Sequence, residues 1–407
     1  MRFPRGFLFL ALFLLISAPV QIYLFTVLRS YLRKRVENGN LRRMLLLFSG
    51  FFFALPFIPL VWRAYFGPYG EQRHPWLLPD LLSASSIWWA GSIGCAIVVF
   101  AYNFFPRFIL SLRRTPAPID HARRDFLRKG VGVAATAPFV LSGYGVLLER
   151  RRFELEHFAI GVSGLSSDLS QFTIAQLTDI HLGPFMPAEE LARYVEAVNR
   201  LKPDVIALTG DFITSSRSEV APCVETLAGL KARYGIFACL GNHDMFSGAA
   251  SKLTQLLTEK GIQMLRNDAA TIDVGNSRIA VLGVDDLVVG RPDFQRAKSL
   301  APTAEVNILL SHRPEIFPVA AKEGMDLVLS GHYHGGQIKL LPEPDSLSIA
   351  RFLTPYVEGL FQLPRPAESS GERKIGSLFV GRGVGITAVP IRINCPPQIA
   401  HLTLKNS

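Results

Sequence analysis

The chain has 407 residues, enough for more than one domain, and its mean hydropathy of +0.26 is high for a wholly water-soluble protein. Its net charge of +10 comes from one end only, because residues 1–152 carry 20 Lys/Arg and 6 Asp/Glu, whereas residues 153–407 carry 23 and 27. The C-terminal part therefore lacks a cationic surface for DNA or RNA, and we expect no nucleic-acid partner. The four cysteines are scattered without C-x-x-C spacing, which excludes a thiolate metal site and indicates ordinary buried thiols.

Three long apolar runs without a charged residue occupy about residues 7–28, 44–62 and 84–105. Each has roughly the 20 apolar residues that a helix needs to cross a bilayer. Buried core helices are the alternative, but no amphipathic period is visible in the runs. The sequence therefore predicts a membrane domain over residues 1–112 with three transmembrane helices.

A fourth, weaker apolar run covers about residues 130–148 and directly follows the stretch ARRDFLRK at 122–129. Paired arginines, Arg123 and Arg124, before Phe-Leu and a basic residue resemble a twin-arginine export signal, which a translocase for folded proteins reads. The alternative is the basic cytoplasmic flank of a fourth helix. We interpret residues 113–152 as a twin-arginine-like segment with a fourth span that stays as an anchor, because no small-x-small cleavage site follows it.

The basic residues between the apolar runs predict the orientation of the chain. Six Lys/Arg lie between the first and second runs and seven lie between Arg107 and Lys129, whereas two precede the first run and two separate the second and third. Because basic loops stay in the cytoplasm, the N-terminus is predicted to lie outside. The chain is then a multi-pass protein of the cell (inner) membrane, with everything after about Glu149 extracytoplasmic.

From about residue 153 onward, short apolar runs alternate with amphipathic segments, which indicates an α/β domain over residues 153–407. We predict strands at 172–178, 204–209, 235–240, 278–284, 306–311, 325–330, 377–381 and 389–404. We predict helices at 187–201, 217–232, 249–260 and 314–322. Residues 341–375, rich in Pro, Ser and Glu but also containing aromatic residues, are too long for a turn and are predicted to be a functional lid or a flexible insertion.

Side chains suited to metals follow five of the predicted strands, in the blocks TDIH, GD, GNHD, SH and GHYH. The carboxyl ends of strands in a layered α/β protein meet at one crevice, where ligands bind. An Asp or Asn after a strand often only caps a helix, yet five such blocks in order indicate a site. The candidate donors are Asp179, His181, Asp211, Asn242, His312, His332 and His334.

Seven donors are too many for one ion that keeps an open position for water, but they suit two divalent ions that share a bridging carboxylate. Oxygen and imidazole ligands without thiolate favour Mn, Fe or Zn. Two ions in such a site lower the pKa of a bridging water and hold phosphate oxygens for in-line attack.

The ordered series D-x-H, G-D, G-N-H-D, H and G-H-x-H resembles the calcineurin-like metallophosphoesterase superfamily over roughly residues 170–404. GHYHGGQI, the GVDD at 283–286 and the ending RGVG to PIRINCPP at 382–397 are most similar to its bacterial membrane-anchored or twin-arginine-exported phosphodiesterases, although Tyr333 stands where these often have Thr. The resemblance implies a four-layer α/β/β/α sandwich and a phosphoric ester hydrolase.

The resemblance also implies a role for each residue of the blocks. The first metal would be bound by Asp179, His181 and His334, and the second by Asn242, His312 and His332, with Asp211 bridging the two. His243 would be the catalytic imidazole, beside the phosphate and the leaving oxygen, and Asp244 would orient it.

The substrate predicted from this combination is a phosphodiester, phosphomonoester or pyrophosphate, and a membrane-proximal or lipid-linked one if the insertion at 341–375 acts as a lid. A broad phosphodiesterase or nucleotidase for small soluble esters is the alternative enzyme. A membrane scaffold whose metal domain only binds is a third hypothesis, and the intact His243 and Asp244 argue against it.

Overall fold

The computed structural model describes residues 5–58, 78–111, 121–365 and 374–407. The chain divides into two compact units, Met1–Leu148 and Glu149–Ser407. The first unit is helical, and the second contains the mixed strands and helices that the sequence predicts from about residue 153.

Long apolar helices form the N-terminal unit. Its described helices are α1 (Arg5–Arg35), α2 (Gly39–Ala54), α3 (Leu78–Ser111) and α4 (His121–Leu147). Three segments are long and apolar enough to cross a membrane: Phe13–Arg35, Pro79–Phe105 and Asp125–Arg151. They contain the third and fourth apolar runs of the sequence and most of the first. The second run forms the end of α2 and a short 3₁₀ turn at Leu55–Phe57, and its last residues, 59–62, lie outside the described part of the chain.

Polar side chains and glycines hold these helices together. The amide of Gln21 in α1 donates to the hydroxyl of Ser92 in α3 over 2.6 Å and accepts from the indole of Trp88 over 3.2 Å. At Gly91 a Cβ would lie 2.3 Å from the ring of Phe139 in α4, so α3 and α4 pack closely there. Small residues and side-chain hydrogen bonds at such contacts are typical of helices in lipid, where apolar surface alone gives no preference for a partner helix.

Two six-stranded sheets form the C-terminal unit. The first has the order β1-β12-β2-β3-β4-β5, with strands Glu154–Val162, Gln398–Asn406, Thr173–Leu177, Val205–Thr209, Ile236–Cys239 and Ile262–Met264. The second has the order β10-β11-β9-β8-β7-β6, with strands Gly359–Pro364, Ile375–Val380, Leu327–Ser330, Val306–Leu310, Ser277–Gly283 and Asp268–Val274. Strands β2 to β5 are mutually parallel, and so are β7, β8, β9 and β11.

Alternating side chains of these strands build the layers. In β3, Val205 and Ala207 point into a core between the two sheets, whereas Ile206 and Leu208 join a second core beneath helices. Strands buried on both faces read as continuous apolar runs, which is why the sequence reveals them. The helices α5 (Ala188–Leu201), α6 (Val220–Leu227) and α8 (Ala250–Glu259) cover the first sheet, and α9 (Phe294–Leu300) and α10 (Phe317–Lys322) cover the second. The four-layer α/β/β/α sandwich is therefore confirmed.

Several predicted elements need correction. The last strand is β12 and begins at Gln398, so residues 389–397 are irregular, and the helix predicted at 217–232 ends at Leu227. Strands β1, β5, β6 and β10 were absent from the prediction because they are short or lie at sheet edges, where one face is exposed and the apolar run is broken. The insertion at 341–375 contains β10, which pairs with β11 and extends the second sheet. Cys223, Cys239 and Cys395 are buried free thiols, as expected.

Arg392 organises the irregular segment before β12. Its guanidinium is fully buried and donates to the carbonyl oxygens of Arg382, Gly383, Gly385 and Cys395 at 2.6–3.1 Å. The loop that it holds contributes the amide of Gly385, which donates to the carbonyl of Asp179 over 2.7 Å. Arg392 therefore supports the backbone under the first polar block.

We expect Arg392→Leu to destabilise the C-terminal unit by about 2–4 kcal/mol, because each buried carbonyl that loses its donor costs about 1–3 kcal/mol. Thermal or denaturant unfolding of the full chain in detergent measures this change. Arg296→Leu, at an exposed position of α9, is the matched control and should change stability little. Equal unfolding midpoints for the two variants would contradict the structural role of Arg392.

Candidate dinuclear metal site

The structure brings all seven predicted donors to the carboxyl ends of five strands. Three of these strands, β2, β3 and β4, belong to the first sheet, and two, β8 and β9, belong to the second. The donors follow them in the order Asp179 and His181, Asp211, Asn242, His312, and then His332 and His334. The site therefore lies where the two sheets present their carboxyl edges side by side.

One group of donors surrounds the Nε2 atoms of two histidines. His181 Nε2 lies 3.1 Å from His334 Nε2 and 3.4 Å from Asp211 Oδ2, and His334 Nε2 lies 3.3 Å from Asp179 Oδ1. All four side chains are almost completely buried. Three of the four donors, Asp179, His181 and Asp211, follow strands of the first sheet. The fourth, His334, follows a strand of the second sheet.

The other group shares one oxygen atom with the first. His312 Nε2 lies 3.3 Å from Asp211 Oδ2, 3.2 Å from Asn242 Oδ1 and 3.2 Å from His332 Nδ1. The Nδ1 of His312 donates to the carbonyl of Thr209 over 2.8 Å, which directs Nε2 toward the other donors. Asp211 Oδ2 is thus the common member of both groups.

These spacings fit donors that share divalent metal ions. Two donors that each lie about 2.1 Å from one ion, at an angle of about 90–110°, are about 3.0–3.4 Å apart. The six separations within the two groups are all 3.1–3.4 Å. Buried oxygen and imidazole donors at these distances are suited to Mn, Fe or Zn.

The backbone of the donors is strained. Five of the seven have positive φ, a conformation that residues other than glycine rarely adopt: Asp179 (52°), His181 (48°), Asp211 (55°), His332 (75°) and His334 (51°). Each such residue costs of order 1 kcal/mol and persists only where the surrounding fold holds it. Because this strain is concentrated on the donors, the fold must stabilise their arrangement against an unfavourable backbone conformation.

Gly331 lets the loop of residues 331–336, which we call the histidine loop, lie against the TDIH block at residues 178–181. A Cβ at this position would meet Asp179 Oδ2 and Thr178 Oγ1 at 2.1 Å. The next residue, His332, donates its backbone N–H to both oxygens of Asp179 at 3.0–3.1 Å. The glycine therefore serves the packing of two loops that carry donors.

Burial gives most of the imidazoles the neutral form that binds metals. Burial lowers the pKa of His181 to about 3 and that of His334 well below its usual value. Burial, together with the positive charges of His312 and Arg313, lowers the pKa of His332 to about 2. These three rings have no proton to release when a metal binds near neutral pH.

Asp211 and His312 instead form a charged pair. Burial opposes the charge on both, but their mutual attraction outweighs it, holds the pKa of Asp211 well below its usual value and raises the pKa of His312 to about 10. Burial raises the pKa of Asp179 to about 6. A metal must therefore displace a proton from His312 and, in mild acid, a second one from Asp179.

His243 lies beside the donors, at the start of the short helix α7 (Asn242–Phe246). Its ring centroid is 4.6 Å from that of His181, and its backbone N–H donates to Asp211 Oδ1 over 2.7 Å. Its Nδ1 donates to the carbonyl of Thr214 over 2.6 Å, and its Nε2 lies 3.4 Å from Thr387 Oγ1. The Thr214 carbonyl therefore orients the ring and leaves Nε2 free for chemistry.

The expected pairing of Asp244 with the His243 ring needs correction. The carboxylate of Asp244 accepts backbone N–H groups instead, from Gly241, Asp211, Phe212 and Ile213 at 2.8–3.3 Å. Because α7 begins at Asn242, the side chain of Asp244 points back at the loop that carries Asp211 and away from the neighbouring imidazole. Asp244 acts on the site through the backbone of Asp211.

Arg313 and Asp286 also belong to the site, although neither was among the residues predicted from the sequence. Arg313 follows His312 directly, and its Nη1 lies 2.6 Å from His332 Nε2, while its Nε donates to the buried Asp286 carboxylate over 2.8 Å. This places a guanidinium at the edge of the second donor group, 3.4 Å from Asn242 Oδ1. The adjacent position of Arg313 in SHRP and the acidic pair in GVDD were the signals that could have revealed them.

Comparisons with known proteins identify the family of the chain. Residues 172–336 match the calcineurin-like phosphoesterase family. The chain is 30% identical over 292 residues to the uncharacterized metallophosphoesterase YkuE of Bacillus subtilis. The aligned residues make up 70% of this chain and 98% of YkuE. It is also 30% identical over 293 residues to phosphodiesterase YaeI of Escherichia coli, covering 70% and 99% of the two chains. A transmembrane protein with metallophosphoesterase domain from Danio rerio is 31% identical over 281 residues, or 66% of this chain and 61% of that protein.

The chain belongs to the calcineurin-like phosphoesterase family, and the resemblance noted in the sequence is confirmed. It is a metal-dependent phosphoric ester hydrolase that acts on phosphoesters. Its apolar helices associate it with a membrane.

We expect metal binding to strengthen as pH rises, because metal ions compete with protons for two of the donors. His312, with a pKa of about 10, is protonated at any lower pH and loses this proton when a metal ion binds. Asp179, with a pKa of about 6, holds a proton for the metal ion to displace only in mild acid. Filling both donor groups should displace about one proton from the side chains at pH 7.5 and about two at pH 5, in addition to any proton lost by metal-bound water. Calorimetry with Mn²⁺ in buffers of different ionisation enthalpy counts these protons.

His312→Asn provides the control for this prediction, because it removes the group that is protonated at neutral pH. Proton release at pH 7.5 should then fall by about one while the additional release from Asp179 in mild acid stays. A proton count that does not change between pH 5 and 7.5 in the unmodified protein would contradict the role of Asp179.

Proposed function

We propose that the C-terminal unit hydrolyses a phosphodiester with two divalent ions that share Asp211. The observation that carries this proposal is the position of Asp211 Oδ2, which lies 3.4 Å from His181 Nε2 and 3.3 Å from His312 Nε2 and so belongs to both donor groups. The phosphodiester is favoured over a monoester or pyrophosphate because the relative YaeI is named a phosphodiesterase.

We assign each donor group to one ion. The first ion would be held by Asp179, His181 and His334, the second by Asn242, His312 and His332, and both by Asp211. When bound, two such ions lower the pKa of water and neutralise the charge of the phosphate oxygens. The oxygen and imidazole chemistry of these donors favours Mn, Fe or Zn as the metal.

We assign to His243 the stabilisation of the phosphate and the protonation of the leaving oxygen. A ring nitrogen of His243 lies within 4.8 Å of donor atoms of His181 and Asp211, and the bond from Nδ1 to Thr214 leaves Nε2 for the substrate. The protonated ring can donate from Nε2 to an oxygen that gains negative charge in the transition state. Arg313 adds a second positive charge on the opposite side, beside His332, where it can attract a phosphate oxygen.

We propose that the substrate lies close to the membrane and that the C-terminal unit is extracytoplasmic. The last apolar segment ends at Arg151 and β1 begins at Glu154, so almost no linker separates the two. The surplus of Lys/Arg in the segments before the second and fourth apolar runs supports this orientation. The orientation needs four crossings, and we assign the additional one to the second apolar run, whose last residues lie outside the described part of the chain. We assign Arg123 and Arg124, near the start of α4, to a twin-arginine signal read by the translocase for folded proteins.

We expect His243→Gln to lower kcat for bis(p-nitrophenyl) phosphate by about 10²–10⁴-fold without loss of metal, because it removes only the proton donor. Asp211→Asn should instead lower the metal content, since it weakens a donor common to both groups. The measurements are steady-state kinetics of the full chain with Mn²⁺ and metal analysis, with about two ions per chain expected in the unmodified protein.

His401→Gln is the matched control, because His401 lies on β12 beside His157 and contacts none of the donors. Near-normal activity of His243→Gln would rule out its assigned role. Normal cellular function of both His243→Gln and Asp211→Asn would favour the scaffold hypothesis over an enzyme.

We expect a reporter that is active only in the cytoplasm to be silent when it is fused after Ser407. The double change Arg123→Lys and Arg124→Lys keeps the positive charge of the flank but removes the paired arginines, so export through the translocase should fail while membrane insertion continues. An active cytoplasmic reporter on the unmodified chain would contradict the orientation. Normal export of the double-lysine chain would exclude the translocase and leave a simple basic flank.

A further inference from the structure

Residues 338–353, which follow the histidine loop, form an ordered loop with an apolar outer surface, and we refer to it as the apolar loop. Large side chains along it are more than half exposed: Leu340, Leu341, Leu347, Ile349, Phe352 and Leu353. Phe352 is 80% exposed and Ile349 is 79% exposed. Contiguous exposed apolar surface of this kind marks a site of contact with another molecule or with a membrane.

The loop is held in place from below by a buried ion pair. Lys339 is almost completely buried, pairs with the buried Glu358 and also donates to the carbonyl of Pro342 over 2.7 Å. The side chain of Asn394 donates to the carbonyls of Lys339 and Leu340 at 3.0–3.2 Å. The apolar side chains are therefore presented on a fixed base.

Internal hydrogen bonds use many of the polar groups of the loop. The N–H of Leu340 donates to the carbonyl of Leu347 over 3.0 Å, and the N–H of Leu341 donates to the hydroxyl of Ser346 over 2.7 Å. Arg351 donates to the carbonyl of Pro344 over 2.7 Å. Protein interfaces carry about one hydrogen bond per 100–200 Å², whereas hydrocarbon offers none, so this surface suits lipid better than a protein partner.

The apolar loop is joined directly to the metal site. The short 3₁₀ turn Ile349–Phe352 within the loop contacts the 3₁₀ turn His334–Gly336, which begins with a donor. Ser348, buried within the loop, packs against the backbone of the same histidine segment, where a Cβ on Gly336 would lie 2.5 Å from its hydroxyl. Whatever contacts the loop therefore lies next to the donors.

We propose that the apolar loop inserts into the surface of the lipid bilayer and that the metal site acts on phosphodiesters of membrane lipids. The bilayer is the occupant because the chain carries its own membrane helices and joins them to the C-terminal unit with almost no linker. The exposed acids Glu343 and Asp345 lie on the same loop, so apolar contact rather than attraction to anionic headgroups drives insertion. This proposal rests on the proposed hydrolase for its substrate but not for its membrane contact.

Phe352→Ser combined with Leu353→Ser tests the substrate. The two assays use esters with one leaving group: a diacylglycerol phosphodiester of p-nitrophenol in phosphatidylcholine nanodiscs, and water-soluble bis(p-nitrophenyl) phosphate. The activity of the double variant of the full chain on the lipid ester should fall about tenfold or more, because two apolar side chains that would be buried in lipid are removed. Its activity on the soluble ester should stay unchanged. Leu300→Ser, at an exposed apolar position of α9, is the matched control and should change neither.

A second measurement tests insertion without relying on catalysis. A fluorophore is attached to Phe352→Cys in a Cys95→Ser background, since the other three cysteines are buried, in nanodiscs that hold one copy of the chain. Nitroxide-labelled lipids should quench the fluorophore at position 352 but not one attached to Val288→Cys, which is exposed elsewhere on the same unit. Quenching should be equal in neutral and anionic lipid.

The outcomes separate the two proposals. Absence of quenching at position 352, or equal loss of both activities in the double-serine variant, overturns lipid insertion. Protection of position 352 that requires two copies per disc overturns it in favour of a contact between copies of this chain. If the unmodified protein cleaves neither ester, the proposed hydrolase fails, and the quenching result still decides whether the loop enters the bilayer.

Discussion

The architecture of the C-terminal unit depends on one carboxylate that faces both donor groups. Asp211 must present one oxygen to His181 and to His312, which come from different sheets, while its other oxygen accepts the N–H of His243. Asp244 fixes the backbone of Asp211 in turn. A small shift of either sheet would change these distances, so the core between the sheets also sets the spacing of the donors. The packing of the two sheets and the distances between the metal donors therefore depend on each other in this unit.

The strained donors explain why such a rigid frame is needed. Positive φ at Asp179, His181 and Asp211 is unfavourable for each residue alone, and an isolated loop would relax to a commoner conformation. The parallel strands anchor each loop at one end, and backbone hydrogen bonds tie neighbouring loops together, as when the N–H of His181 donates to the carbonyl of Asp211 over 2.9 Å. The energy of burying three apolar clusters stabilises a set of loops that is unfavourable locally.

The sequence predicts what is local and repeated, and it misses what depends on three-dimensional contacts. Buried strands such as β3 and β8 are visible as apolar runs, and each donor block follows its strand directly, so the α/β class and the meeting of the seven donors were predictable. The four-layer sandwich was implied by the family resemblance. The partner of His243 was not, because Thr214 is 29 residues away and contributes only a backbone carbonyl. Arg313 and Asp286 are 27 residues apart, so the motifs SHRP and GVDD point to each residue separately but not to the ion pair between them. Edge strand β10 was hidden in a segment whose composition indicates a loop.

The short connection between the last apolar segment and β1 has a kinetic consequence for the proposed lipid substrate. A catalytic unit on a long tether searches a volume, whereas one whose first strand starts three residues after the apolar segment stays at the membrane that holds this segment. On a lipid substrate, turnover would then depend on the number of substrate molecules per unit area of membrane rather than on their concentration in solution. Diluting the surrounding medium would leave that surface density, and hence the rate, unchanged.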